Sequence, residues 1–153
     1  MATKNEIANL FSLLEQESSV DTFSDRKKLQ KLVYLTENFG IDLGFTFTWY
    51  IHGPYSSNLT RVMFDKEQGT TMKLNTIPDL KDKITRLRTF LGDDINSCDK
   101  LELLASLHYV SCVVDDPISC KNEIFEILAE QKPQFTKEEV KNAYDRLVPL
   151  FKH

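Results

Sequence analysis

The stretch FTFTWYIHGPYSSNL, Phe45–Leu59, decides how the chain is read. From Phe45 to His52 its period is two. Phe45, Phe47, Trp49 and Ile51 fall on one side, and Thr46, Thr48, Tyr50 and His52 on the other. Alternating aromatic and β-branched residues predict a half-buried strand with the first set turned inward. Gly53-Pro54 predicts its end, because Pro has no N–H for a ladder and restricts the residue before it. Ser56 or Ser57 then caps a helix that carries Leu59, Val62 and Met63 and stops at Gly69. Thr70–Leu74, with Met72 and Leu74 alternating, predicts a second strand antiparallel to the first. Two strands alone are marginal in water, so this ribbon must lean on helices.

Outward from that stretch the period is helical. Asn5–Glu17 places Ile7, Leu10, Phe11 and Leu14 on one stripe. Ser24–Phe39 has Ser24 as its N-cap, Gly40 beyond its end, and Leu29, Leu32 and Val33 on one face. Pro78–Leu91 starts with Pro at a tolerated position and carries Leu80, Ile84, Leu87 and Leu91. Asp99–Val113 is apolar on more than one side, through Leu101, Leu103, Leu104, Leu107, Val110 and Val113, and is expected to be the most buried helix. Asp116-Pro117 opens the next, with Ile124, Ile127 and Leu128. Thr136-Lys-Glu-Glu139 spells a capping box ahead of Val140, Tyr144, Leu147 and Phe151. The expected fold is mainly α (α+β): one domain over residues 1–153, a bundle of about six or seven helices with a small two-stranded antiparallel β ribbon.

The bulk properties narrow the classes of function. The 153 residues suit one domain, and 41% hydrophobic with 27% charged residues is ordinary for a water-soluble chain. A net charge of −4 weighs against non-specific nucleic-acid binding, which needs a positive field. The three cysteines, Cys98, Cys112 and Cys120, form no disulfide framework and fit a reducing cytoplasm. The N-terminal MATKNEIANLF lacks the apolar core of a secretory leader, and no apolar run approaches the roughly 18 residues of a membrane span. The expected location is cytoplasmic.

Four groups of residues are candidates for chemistry. His52 beside a Tyr or Ser hydroxyl suggests a small hydrolase, but such a pair needs an orienting carboxylate and oxyanion donors, and no Gly-x-Ser-x-Gly elbow is present. His108 and Cys112, at i and i+4, can face one metal, with Cys98 and Cys120 near in sequence; a structural zinc site needs four ligands and usually two close pairs. Arg26, Lys27, Lys28 and Lys31 predict a basic surface on the second helix, as in a winged-helix-like nucleic-acid binder. Asp93-Asp94 and Asp115-Asp116 are acidic doublets without EF-hand spacing, better suited to capping helices. The outward strip of the first strand, ending in Tyr50 and His52 and followed by Tyr55, suits a protein interface, where Tyr offers large area and a hydroxyl. Trp49, Gly53, Pro54 and Ser56 are expected to form its scaffold, and the edges of a two-stranded ribbon can accept a partner strand.

Lys28-Leu-Gln-Lys-Leu-Val-Tyr-Leu35 followed by Trp49-Tyr-Ile-His-Gly-Pro-Tyr-Ser56 resembles the signature of the Panacea-type domain of SocA-like antitoxins and adaptors, and most closely its YwgA-like branch. Leu103-Leu-Ala-Ser-Leu-His-Tyr109 and Lys132-Pro-Gln-Phe-Thr-Lys-Glu-Glu139 are similar to later parts of that branch, so the resemblance runs from about Ser24 to Leu147. It implies a mainly helical fold with a small sheet and no known catalytic activity, and no cofactor is expected. In SocA-like members the domain neutralises a toxin by direct binding or delivers it to a protease. The expectation is a non-enzymatic protein-interaction domain, antitoxin-like or proteolytic-adaptor-like, with a protein partner touching Tyr50, His52 and Tyr55. The alternatives are the nucleic-acid-binding regulator and the small hydrolase or metal-dependent enzyme.

Overall fold

The computed structural model describes residues 1–64, 74–114 and 116–151. Within them the chain runs α1 (Lys4–Leu13), α2 (Phe23–Asn38), β1 (Thr48–Tyr50), β2 (Gly53–Tyr55), α3 (Ser57–Phe64), α4 (Leu80–Leu91), α5 (Cys98–Val113), α6 (Lys121–Gln131) and α7 (Lys137–Phe151). Mainly helical with a two-stranded antiparallel sheet, this is the expected architecture. Among the described residues no helix is long and apolar enough to cross a membrane.

α5 is the hub, with α2, α6, α7 and β2 packed against it. Leu101, Leu103, Leu104, Ala105 and Leu107 are all buried, as its all-round apolar pattern predicts, although Val113 at its end is exposed. Leu29, Leu32 and Val33 of α2, Ile124 and Leu128 of α6, and Val140, Tyr144 and Leu147 of α7 join them in one core cluster.

The helix starts are set by side chains that satisfy orphan backbone N–H groups. α1 opens on a capping box between Thr3 and Glu6, and it ends short of Glu17, where Glu15 takes a left-handed φ of 57°. α2 is capped by Thr22, not by Ser24. Thr22 and Asp25 form a reciprocal box, which satisfies two donors where a lone Ser would satisfy one. The box between Thr136 and Glu139 starts α7 as expected. Asp116 does not open α6 directly. It accepts from the N–H groups of Ile118 and Ser119 and shapes a turn ahead of Lys121.

The ribbon differs from the sequence expectation in a consequential way. β1 is three residues long, and its partner is Gly53–Tyr55, paired as Thr48 with Tyr55, Trp49 with Pro54 and Tyr50 with Gly53. Gly53-Pro54 therefore does not stop the sheet but forms its return strand. The expected partner, Thr70–Leu74, lies outside the described residues at positions 70–73, as does the stop at Gly69, and Leu74 opens a short 3-10 turn, Leu74–Thr76. A two-residue hairpin closes on a hydrogen-bonded pair, here Tyr50 with Gly53. The next pair, Trp49 with Pro54, then falls where neither N–H enters the ladder, so the missing Pro donor costs nothing. The reversal at Ile51-His52 ends the alternation one residue early. Ile51, expected inward, sits at the hairpin tip and is 73% exposed. Before the tip the alternation holds: Phe45 is buried, Phe47 packs on Tyr34 and Trp49 on Tyr109, while Thr46, Thr48 and Tyr50 face out.

Candidate functional site

The hairpin lies across the inner face of α2, and the packing between them is polar. Gln30 grips the exit of β2 by its main chain. Its amide donates to the Ser56 carbonyl at 2.9 Å and accepts from the Ser56 N–H at 2.9 Å. The same amide donates to Thr60 Oγ1, which is also 2.8 Å from the Tyr55 hydroxyl. Ser56 Oγ accepts from the Leu59 N–H and caps α3. Lys31, fully buried, donates to the Pro54 carbonyl at 2.7 Å, and Lys132, buried just beyond α6, donates to the Ile51 carbonyl at 2.7 Å. The Pro54 carbonyl is open to Lys31 because its pair is not hydrogen-bonded within the ladder.

Gly53 is required twice over. Its φ is +97°, and a Cβ there would stand 2.3 Å from Ser106 Oγ of α5. Ser106 is fully buried, and its hydroxyl has no hydrogen-bond partner among the described residues. The hairpin main chain thus rests directly on α5.

Behind the hairpin two ammonium groups pair with one buried carboxylate, and one of them, Lys27, also stands 3.9 Å from the exposed Asp99. Glu102 of α5 lies 2.8 Å from Lys27 and 3.2 Å from Lys132, and it accepts from Gln134 at 3.0 Å. Burial alone would raise the Glu102 carboxyl, but the hydrogen bond from Lys27 and the charge of Lys132 hold it below the usual carboxylate range. Burial likewise works against the Lys27 ammonium, and Glu102 more than offsets it. Lys31 has no such contact. Burial pulls it down to about 8, with the positive charges of Lys132 and Lys27 adding to the effect against the attraction of Glu102. His52 is half-buried, its ring edge-on to Phe23 at 5.1 Å and its Nδ1 3.8 Å from Glu102. Burial first, and then the three lysines, hold it below its ordinary value, against the attraction of Glu102.

A cavity of about 330 Å³ opens between α2, the hairpin and α3. Val20, Phe23, Leu29 and Met63 give it apolar walls; Tyr50, His52, Gly53 and Tyr55 close the hairpin side; Arg26, Lys27 and Lys31 lie on the α2 side. Tyr50 and Tyr55 stack with ring centroids 5.5 Å apart. The three expected contact residues, Tyr50, His52 and Tyr55, therefore border one cavity. Trp49 and Pro54 stand behind it, with the Lys132 ammonium 5.6 Å from the Trp49 ring.

The expected basic surface does not form as one face. Lys31 is buried and Lys27 turns to Glu102. Arg26 donates to the Val20 and Asp21 carbonyls, and Lys28 to Gln16. Consecutive residues lie about 100° apart round a helix, so Arg26, Lys27 and Lys28 point in different directions, and only the side with Lys27 and Lys31 turns towards the hairpin and α5.

His108 sits on a different side of α5. Tyr34 Oη lies 2.7 Å from its Nδ1, with Cys112 Sγ 3.7 Å from the same nitrogen. Burial raises the Tyr34 phenol, which keeps its proton and shares a hydrogen bond with His108 Nδ1. Burial pushes His108 down to about 4, so the ring is neutral. Cys98 is instead near the Ser24 carbonyl, and Cys120 lies at the start of α6. Among the described residues no three potential ligands gather for a metal ion. Asp94 pairs with Arg146, and Asp115 lies outside the described residues.

Gln30, Glu102 and Lys132 were not singled out from sequence. A glutamate inside Leu101-Glu-Leu-Leu104 was the available signal, since a charge in an otherwise apolar helix is buried only with partners. No family model, no curated protein and no solved structure matches this chain.

Proposed function

We propose that this is a non-enzymatic protein-binding domain whose partner seats on the hairpin–α2–α3 cavity. The observation that carries this reading is the continuity of apolar surface from the cavity walls to its rim. Phe23, Tyr50 and Phe64 line the cavity and yet are 56%, 59% and 57% exposed, and Ile51, next to Tyr50 in the chain, is exposed at the hairpin tip. Large exposed apolar residues gathered round one mouth mark an interaction site. The hydroxyls near His52 have structural tasks, with Tyr55 on Thr60 and Ser56 capping α3, which supports binding over acyl transfer. The resemblance to Panacea-type domains makes an antitoxin-like or proteolytic-adaptor-like role in the cytoplasm the natural form of such binding.

The test is reconstitution. A protein co-purifying in fixed stoichiometry is purified separately and titrated against this chain and a Tyr50→Ala, Phe64→Ala double variant. Both side chains are exposed, so the variant keeps its melting temperature. At least a hundredfold weaker binding is expected, in line with the loss of two aromatic anchors. Unchanged affinity would place the partner elsewhere and end this reading.

A further inference from the structure

The cavity is not uniformly apolar, and its polar side has one sign. Arg26, Lys27 and Lys31 line it; behind them Glu102 pairs with Lys27 and Lys132, and Lys27 also stands 3.9 Å from the exposed Asp99, so Lys31, with no ion pair among the described residues, is the least compensated. Among the described residues the Lys31 ammonium makes one hydrogen bond, to the Pro54 carbonyl, so two of its three protons have no acceptor. A buried cation with idle donors beside an open cavity is a receptor for an anion. The walls require the same ligand to carry an apolar group.

We infer that the cavity binds the C-terminal residue of a partner protein, its side chain among Val20, Phe23 and Met63 and its terminal carboxylate on Lys31. The inference rests on the protein-binding reading above. An internal Asp or Glu carries its carboxylate at the end of its own side chain, leaving nothing apolar for the walls. A chain terminus presents an apolar side chain and a carboxylate on one Cα. A small amphipathic acid would fit the cavity but would leave Tyr50, Ile51 and Phe64 uncovered, whereas the residues preceding a C-terminus would lie on them. Capture of a terminal carboxylate is an established mode of peptide recognition; here it would use a lysine in place of a backbone nest.

The groups facing Lys31 are Lys27 on its own helix, Glu102 and Cys98 on α5, Lys132 after α6, and His52 on the hairpin. A carboxylate needs Lys31 charged, so affinity holds at neutral pH and falls as pH rises through about 8.

The experiment uses N-terminally labelled octapeptides ending in Leu, Phe, Val, Ala, Asp or Lys, each as free acid and as amide, read by fluorescence anisotropy. A Leu or Phe acid is expected to bind at least about tenfold more tightly than its amide, the range of one charge-assisted hydrogen bond. Lys31→Met, which removes a buried charge and is checked by its melting curve, should abolish the difference, while Lys28→Met, outside the cavity, should keep it. The acid's advantage should shrink between pH 7 and pH 9.5. Equal binding of acid and amide would overturn the carboxylate and leave the protein-binding reading standing, and so would a preference that survives Lys31→Met. Binding of 3-phenylpropionate or octanoate with no peptide bound would overturn both readings. Absence of any peptide binding would overturn the terminal-residue site.

Discussion

Glu102 is the residue on which the polar interior depends. Its carboxylate neutralises Lys27 and Lys132 directly and moderates Lys31 at longer range. A buried ion pair contributes little beyond an apolar substitute of the same volume, yet removing one partner leaves the other charge uncompensated. Glu102→Gln keeps the shape and the hydrogen-bonding reach and deletes only the charge. It is expected to cost about 3 kcal/mol in urea unfolding at neutral pH, because the buried Lys132 ammonium loses its counter-charge and the half-buried Lys27 loses its nearest one. A loss below about 1 kcal/mol would mean that water or a local shift already shields the lysines. This cluster was barely legible in the sequence. Lys27 and Lys31 fall with Arg26 and Lys28 in one basic run, and lysines are so often solvated that the run reads as an exposed surface. The burial of Lys31 and Lys132 goes with the hairpin carbonyls of Pro54 and Ile51 to which they donate, which no side-chain pattern encodes.

At the scale of elements, the contact between the hairpin and α5 turns on Gly53 and Ser106. Gly53→Ala meets two penalties, a left-handed backbone and a Cβ placed against Ser106 Oγ. Together these should cost about 3 kcal/mol. Ser106→Ala removes a buried hydroxyl that has no partner among the described residues and should stabilise by about 1 kcal/mol. In the double variant the nearest Ser106 atom to the new Cβ is at 3.5 Å, ordinary contact, so only the backbone penalty remains. A double-mutant cycle by thermal or urea unfolding should therefore show coupling of about 1 kcal/mol or more. Strictly additive effects would mean that the hairpin lifts off α5 when Gly53 gains a side chain. The helices were legible from period and caps because each is long enough to repeat its stripe. The return strand was not, since three residues give no period and Gly-Pro reads as a terminator. Only the register, which puts Pro54 at a pair without ladder hydrogen bonds, reconciles that dipeptide with a strand.

For the molecule as a whole, α5 ties its neighbours together, and His108 lies at one of its junctions. Its ring meets Tyr34 of α2 and stands 6.4 Å from Phe151 of α7. The folded protein holds His108 neutral down to about 4, whereas the unfolded chain protonates it near 6.5. Between those values the unfolded state binds more protons, so stability is fully present above about 6.5 and falls as pH drops towards 4. The loss should approach about 3 kcal/mol. Gln at position 108 can still hydrogen-bond to Tyr34 but does not titrate. Unfolding free energies at pH 7 and pH 4 should thus show the parent chain losing about 3 kcal/mol more than His108→Gln. Parallel losses in the two proteins would assign acid sensitivity to other groups, Glu102 first among them.

The hairpin is held by its main chain. Lys31, Lys132 and Gln30 each grip a carbonyl, and Gln30 also receives an N–H, so the side chains at Tyr50 and Ile51 contribute almost nothing to anchoring it. Mooring and display are separated in this loop. Residues 50 and 51 can be exchanged, by divergence or by grafting, with the platform beneath them unchanged, so that one scaffold could be re-aimed at a succession of partners.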